Sequence, residues 1–365
     1  MESDNKLFLL DAYALIYRAY YAFIKNPRIN SKGFNTSAIL GFVNTLEEVL
    51  KKENPSHIGV AFDPSGPTFR HEAFEQYKAQ REETPEAIRL SVPIIKDIIH
   101  AYRIPILEVA GYEADDVIGT LATEAGRQGI TTYMMTPDKD YGQLVTDNVF
   151  MYRPKHTGGF EVMGIEEVKA KFDIQSPAQV IDMLGLMGDA SDNIPGCPGV
   201  GEKTAQKLIA EFGSIENLLE HTDQLKGALK TKVETNKELI TFSKFLATIK
   251  IDVPIQLEMD KLVREQADED SLRQIFEELE FRTLIDRVLK KENSAGGVTM
   301  TTGSKTATAK SAPSPLPLFP EEGGAIQGDL FANFTGNEAG EAKKSNLETL
   351  ETLNCDYQLI DTEKK

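Results

Sequence analysis

The strongest constraint on this chain is a repeated unit: a short apolar strand, an acid at its end, then a helical stretch. Lys6–Leu10 (KLFLL), His57–Phe62 (HIGVAF), Ile104–Val109 (IPILEV) and Thr131–Met135 (TTYMM) are short and apolar, with turn-forming residues close by. Between them Ala38–Lys52, Ile88–His100 and Ala114–Arg127 carry helical periodicity. Strands alternating with helices predict an α/β fold, a mostly parallel central sheet with flanking helices. Phe150–Arg153 adds a further edge strand. Ligands collect at the carboxyl ends of the strands in such sheets. Asp11 and Asp63 directly follow the first two strands, and Glu113 and Asp138 follow the next two after a short turn. Helix capping accounts for one such acid; it is a poor account of four in succession.

The local clusters sharpen the point. In GYEADDVIG, Glu113 and Asp116 are three apart on one helix face with Asp115 beside them. The helix dipole favours an acid there, but three crowded acids repel unless a cation sits among them. Asp138 and Asp140 flank a lysine in TPDKDYGQL, and Asp189 and Asp192 are three apart in MGDASDNIPG. For the last pair a capped polar turn is the competing account. The net charge of −17 argues against a generic nucleic-acid coat. Residues 291–365 carry −4 of it, and removing these nine carboxylates from the remaining −13 leaves −4, so the acidity reads largely as a site property. The five histidines (His57, His71, His100, His156, His221) never pair at metal-ligand spacing. The two cysteines, Cys197 and Cys355, are too few for a disulfide framework or zinc knuckle. Oxygen-only ligands suit Mg²⁺ or Mn²⁺ rather than zinc. Two such ions about 4 Å apart would activate a water and stabilise the leaving oxygen of a phosphodiester.

From Gly164 the pattern turns helical: Ile165–Phe172, Pro177–Leu186, Lys203–Glu211, Ile215–Glu220, Thr231–Phe242 and Ser271–Lys290. Within it, IPGCPGVGEKTAQKLI supplies Gly196, Gly199 and Gly201 for tight turns before an amphipathic helix opened by Lys203 and Thr204. Backbone N–H groups at such a start bind anions. An NTPase P-loop is excluded, because Glu202 stands where its lysine must be and no strand precedes the loop. A helix–hairpin–helix gripping duplex phosphates without reading sequence fits. FRHEAFEQYKAQREE is read as a helix carrying Arg70, Tyr77, Lys78 and Arg81, and Arg18 follows the first strand with Tyr17 and Tyr20 nearby. Alone these are solvated helix faces; beside a carboxylate site they suggest phosphate capture and base stacking on a frayed end.

The hydrophobic fraction of 41% supports a real core, and no apolar run approaches a membrane span. The acidic start, interrupted at Asp11, does not read as a signal peptide, and a reduced cytoplasm is the simplest compartment. Residues 291–344 are rich in Gly, Ser, Thr, Ala and Pro and read as a flexible linker.

The stretches LLDAYALIYRAYYAF, VAFDPSGPTFRHEAFEQYKAQR, GYEADDVIGTLA, PDKDYGQLV, LMGDASDNIPGCPGVGEKTAQKL and LATIK resemble the 5′ nuclease (flap endonuclease) superfamily, specifically the domain that begins bacterial DNA polymerase I. The resemblance covers roughly residues 5–290. It implies a PIN-like nuclease core over residues 1–164 with a helical arch at about 70–100, and a helix–hairpin–helix region over 165–290. It implies a metal-dependent enzyme, expected to be monomeric, that removes 5′ flaps and RNA primers near the single-strand/duplex junction. Asp11, Asp63, Glu113, Asp115 and Asp116 would serve the catalytic metal, with Asp11, Asp63 and Asp116 central to catalysis. Asp138, Asp140, Asp189 and Asp192 would hold a second ion or its waters. Lys78 and Arg81 would clamp the scissile phosphate. Arg18, Tyr17, Arg70, Tyr77, Gly196, Gly199, Val200, Gly201, Lys203 and Thr204 would face DNA, with K⁺ at the hairpin. Ala12 and Pro137 stand where the family favours glycine, and neither removes a ligand. Residues 345–365 resemble the entry to a proofreading-like domain, and no polymerase motif is present. In the linker, Gln327, Leu330 and Phe331 of QGDLF resemble a sliding-clamp docking peptide. Two other readings stay open: a PIN-like ribonuclease, and a non-catalytic module that binds branched DNA.

Overall fold

The computed structural model describes residues 5–155 and 158–289. The expected linker, the following-domain segment, the clamp-type peptide, His156 and Cys355 lie outside the described residues.

The chain begins with β1 (Lys6–Asp11), α1 (Ala12–Ala22), α2 (Ser37–Lys52), β2 (His57–Ala61), α3 (Phe69–Ala73) and α4 (Glu86–Ala101). It continues through β3 (Ile106–Leu107), α5 (Ala114–Arg127), β4 (Thr131–Met135), a 3₁₀ turn (Lys139–Leu144), β5 (Val149–Pro154) and β6 (Phe160–Met163). The helical half contains α6 (Ile165–Phe172), α7 (Gln179–Met187), α8 (Glu202–Phe212), α9 (Ile215–Glu220), α10 (Gly227–Thr235) and α11 (Lys237–Ala247). After these come α12 (Met259–Leu262), α13 (Glu269–Glu278) and α14 (Arg282–Val288).

The sheet order is β3-β2-β1-β4-β5-β6. Strands β1 to β5 run parallel, and β6 returns antiparallel to β5. The chain steps outward from β1 to β3, then crosses back through α5 to place β4 on the other flank of β1. The order therefore reverses between β1 and β4, which opens a crevice beyond their carboxyl ends. Both faces of the sheet are covered. Leu7 and Leu9 enter one core with Val117 and Leu121 of α5, Leu184 of α7 and Leu208 of α8. Phe8 and Leu10 enter the other with Phe42 of α2, Ile98 of α4 and Phe276 of α13. Burial on both faces is why Leu7, Phe8, Leu9 and Leu10 are apolar in succession rather than alternating with polar residues.

Several elements differ from expectation. β3 is cut to two residues because it lies at the sheet's edge and follows Pro105, which has no N–H to give the ladder. β6 pairs along β5 from Met163 to Phe160, so β5 is interior and the edge is FEVM, whose Glu161 breaks the apolar signal. The helix expected across Arg70–Arg81 stops at Ala73, residues 75–81 form turns and a bend, and residues 82–85 are irregular up to α4. Lys78 there has φ 56°, a left-handed conformation that no helix continues through. The last two expected helices are each divided, at Asn236 and near Glu280.

Candidate active site

Asp11 closes β1 and caps α1, accepting from the Ala14 N–H at 3.1 Å. Its other oxygen accepts from the Thr136 hydroxyl at 3.1 Å and, more weakly, from Tyr141 at 3.4 Å. Burial, then the neighbouring charge of Asp63 and of Asp138, push its pKa up to about 7. Asp63 is reached by solvent, accepts from the Ala114 N–H at 2.7 Å, and is also raised, chiefly by the surrounding protein. Glu113 precedes α5 and Asp115 and Asp116 lie in its first turn, where one oxygen from each falls within 4.8 Å of the others. Burial, then Asp116 and Glu113, raise Asp115 well above the usual carboxylate range. Burial alone would raise Glu113 too, but Lys78 and Arg70 hold it below its ordinary value.

A second group lies across the crevice. Asp138 caps the 3₁₀ turn through the Asp140 N–H at 2.9 Å, and Lys139 reaches Asp189 at 2.9 Å. Asp140 has one buried oxygen with no hydrogen-bond partner. Burial first, then Asp138 and Asp189, raise it well above the usual range. Asp138 is raised by burial, with Asp192 and Asp189 adding to it. Asp192 moves the other way: the opposing charges of Lys78 and Arg81 overcome its burial. Thr136 links Asp11 to the Asp138 turn, Ala114 links Asp63 to the start of α5, and Lys78 and Tyr77 bridge Glu113 and Asp192, so the two groups face one crevice. Crowded oxygen donors held against their ionised form, one of them orphaned, are the donor set a hard divalent cation satisfies.

Two cations stand over this crevice. Lys78 Nζ lies 2.6 Å from Glu113 and 3.6 Å from Asp192, and Arg81 Nη2 lies 2.5 Å from Asp192. Their turn is pinned to the 189–193 loop: Lys78 N–H donates to the Asp192 carbonyl at 3.0 Å, and Arg81 Nε to that of Ser191 at 3.2 Å. Asn193 returns a bond to the Gln76 carbonyl at 2.6 Å. Tyr17 fastens the far side through Thr84 at 3.0 Å, and Arg18 donates to the Lys155 carbonyl at 2.9 Å.

Two residues expected to face DNA do not. Arg70 is only 1% exposed. It donates to Glu113, to both oxygens of Asp116, and to the carbonyls of Leu246 and Thr248, all at 2.7–3.0 Å. Tyr77 is 3% exposed, its hydroxyl 3.0 Å from both Glu113 and Asp192, so its ring offers no stacking face. The sequence reading also missed Thr136, Tyr141, Leu246 and the Lys250 N–H, which bonds Asp116 at 2.8 Å. Only the LATIK match pointed towards the last two.

The glycine hairpin joins α7 to α8. Gly196, at φ 61°, packs on Gly188 so closely that a Cβ would sit 2.3 Å from the Gly188 nitrogen. Gly196 and Val200 are thus buried parts of the hairpin's own packing, a correction to their expected DNA contact. Gly199, Gly201 and Lys203 are exposed and Thr204 is half-buried, leaving an open helix start.

Residues 6–173 match the family model "5′-3′ exonuclease, N-terminal resolvase-like domain", and residues 175–270 match "5′-3′ exonuclease, C-terminal SAM fold". The chain is 40% identical over 287 residues to DNA polymerase I of Bacillus caldotenax, covering 78% of this chain and 32% of that protein. It is 43% identical over 291 residues to DNA polymerase I of Bacillus subtilis, covering 79% and 33%. It thus spans about a third of the length of the curated relatives it matches. Among solved structures, T5 5′-exonuclease with bound zinc aligns at TM-score 0.56 and 22% identity, over 76% of this chain and 98% of that one. The catalytic core of Rad2 in complex with DNA substrate aligns at 0.52 and 18%, over 75% and 88%. The fold is therefore the 5′ nuclease fold, and, with both halves of one family matched in order along it, the chain belongs to the 5′-3′ exonuclease family.

Proposed function

We propose that this domain is a divalent-metal-dependent, structure-specific 5′ nuclease that hydrolyses phosphodiesters in 5′ flaps and RNA primers, working within a DNA polymerase I in the cytoplasm. The observation that carries the reading is the single crevice of nine carboxylates at the strand reversal, roofed by Lys78 and Arg81 and flanked by an open glycine hairpin. Asp11, Asp63, Glu113 and Asp115 would serve one Mg²⁺ or Mn²⁺, with Asp116 beside them in the cluster, and Asp138, Asp140, Asp189 and Asp192 would serve a second. When bound, such ions supply an activated water and charge neutralisation at the leaving oxygen.

The chain's own groups do the rest. Lys78 and Arg81 exchange their bonds to Glu113 and Asp192 for the oxygens of the incoming phosphate, which is charge-for-charge replacement. Gly199, Gly201, Lys203 and Thr204 hold the duplex backbone without reading bases, with K⁺ assisting at the hairpin. Arg18 and Tyr17 border the path of the unpaired strand. The hairpin and its helical support favour a junction-cutting enzyme over a single-strand ribonuclease, which needs no duplex grip. The sliding-clamp contact through Gln327, Leu330 and Phe331, and a monomeric state, belong to the same reading.

Incubating the chain with a labelled 5′-flap duplex and Mg²⁺ tests it. Release of the flap by a cut near the junction, stopped by chelation, is the expected result. Tight flap binding without cleavage in either Mg²⁺ or Mn²⁺ would overturn it.

A further inference from the structure

Resting on that metal-dependent reading, we propose that Asp116 is not a ligand of the catalytic ion but forms, with Arg70, a positioning pair that sets Glu113 and Asp115 in place for it. The argument is one of lone pairs. A carboxylate has about four acceptor sites. Asp116 Oδ1 accepts from Arg70 Nη2 at 2.8 Å and from the Lys250 N–H at 2.8 Å. Its Oδ2 accepts from Arg70 Nη1 at 2.8 Å and from the Glu113 N–H at 3.1 Å. All four sites are filled, and the side chain is 0% exposed. Proximity places Asp116 in the three-acid cluster, yet a cation there would have to break a bidentate Arg–carboxylate pair, the strongest such arrangement proteins use.

Arg70 is equally complete. All five of its N–H groups are spent, on Asp116, on Glu113 Oε2, and on the carbonyls of Leu246 and Thr248 that follow from α11. Its bond to Glu113 Oε2 leaves Oε1, now on Lys78, facing the crevice. The pair thus decides which oxygen of Glu113 is offered, and it ties that choice to the helical half of the molecule. Asp115 carries only the Asp116 N–H on one oxygen and keeps the other for a cation.

The test titrates the full chain with Mn²⁺ alone by calorimetry and records thermal unfolding with and without Mn²⁺. Asp116→Asn and Arg70→Lys are each expected to lower the metal-free unfolding temperature by several degrees. Each should weaken Mn²⁺ binding about 10- to 100-fold with the number of ions unchanged. The double variant should bind no more weakly than the poorer single one, since both break the same unit. Asp115→Asn is expected to abolish one ion's binding while leaving metal-free unfolding unchanged or raised. The pairing is overturned if Asp116→Asn behaves like Asp115→Asn, or if Arg70→Lys binds Mn²⁺ as tightly as the unsubstituted chain. Should Asp116→Asn fail to fold, Arg70→Lys decides alone. Absence of any Mn²⁺ binding by the unsubstituted chain would instead defeat the metal-dependent function itself.

Discussion

Lys78 holds a left-handed backbone conformation, and its ammonium bonds Glu113 over the carboxylate crevice, where the proposed function has it meet the phosphate. Replacing Lys78 or Arg81 with alanine should cut flap cleavage by about 10²-fold or more while duplex binding changes little, as single-turnover rates and gel shifts would show. Loss of binding in step with loss of rate would refute that role. Asp11 makes a pH prediction. Its native pKa of about 7 against an ordinary 3.8 means the folded state prefers the protonated acid. The stability this group contributes is full below about pH 4 and is lost as pH climbs through 7. Asp63, Asp115, Asp138 and Asp140 are raised and act in the same sense, whereas Glu113 and Asp192 are lowered and oppose them at the acid end. Metal-free unfolding temperatures should therefore fall from pH 5 to 8, less steeply in Asp11→Asn, and Mn²⁺ should restore most of the loss at pH 8. The acids were legible one by one because a strand end fixes where a side chain goes. Arg70 and Tyr77 were misjudged because a basic and aromatic stretch looks the same in sequence whether its tips meet water or a carboxylate.

The elements were legible in proportion to their burial. The interior strands β1, β2 and β4 stood out because packing between two cores makes most of their positions apolar. Edge strand β6, with Val162 48% exposed, left no comparable trace, and the turn after α3 was hidden by residues of good helix propensity. The hairpin shows the same limit: its glycines mark a tight loop but not which of them packs and which is open. Gly196→Ala should cost about 2–4 kcal/mol, from a backbone clash added to an unfavourable φ, visible as a lowered urea midpoint. Gly201, with nothing within 4 Å of its absent Cβ, should accept alanine within about 1 kcal/mol. Equal losses at the two positions would contradict the packing assigned to the hairpin.

At the scale of the whole molecule, a net charge of −17 is compatible with the proposed DNA binding because much of the negative charge is gathered in one crevice, while Gly199, Gly201 and Lys203 of the hairpin stay exposed. Lys203→Ala should weaken duplex binding at all sequences alike and reduce the slope of log K against log salt by about 1. An unchanged slope would remove Lys203 from the DNA contact. What the sequence could not convey at this scale is the tie between the two halves, made by main-chain groups at Leu246, Thr248 and Lys250 that carry no residue-type signature. That tie has a consequence for the order of events during synthesis. Asp11 leaves the ribosome first, but Arg70 must wait for partners 176 and 178 residues further along, so the acidic crevice cannot take its final shape until nearly the whole described domain has emerged. On the proposed nuclease reading, stalled chains ending before Leu246 are expected to show no flap cleavage, which an assay on such ribosome-bound chains would check.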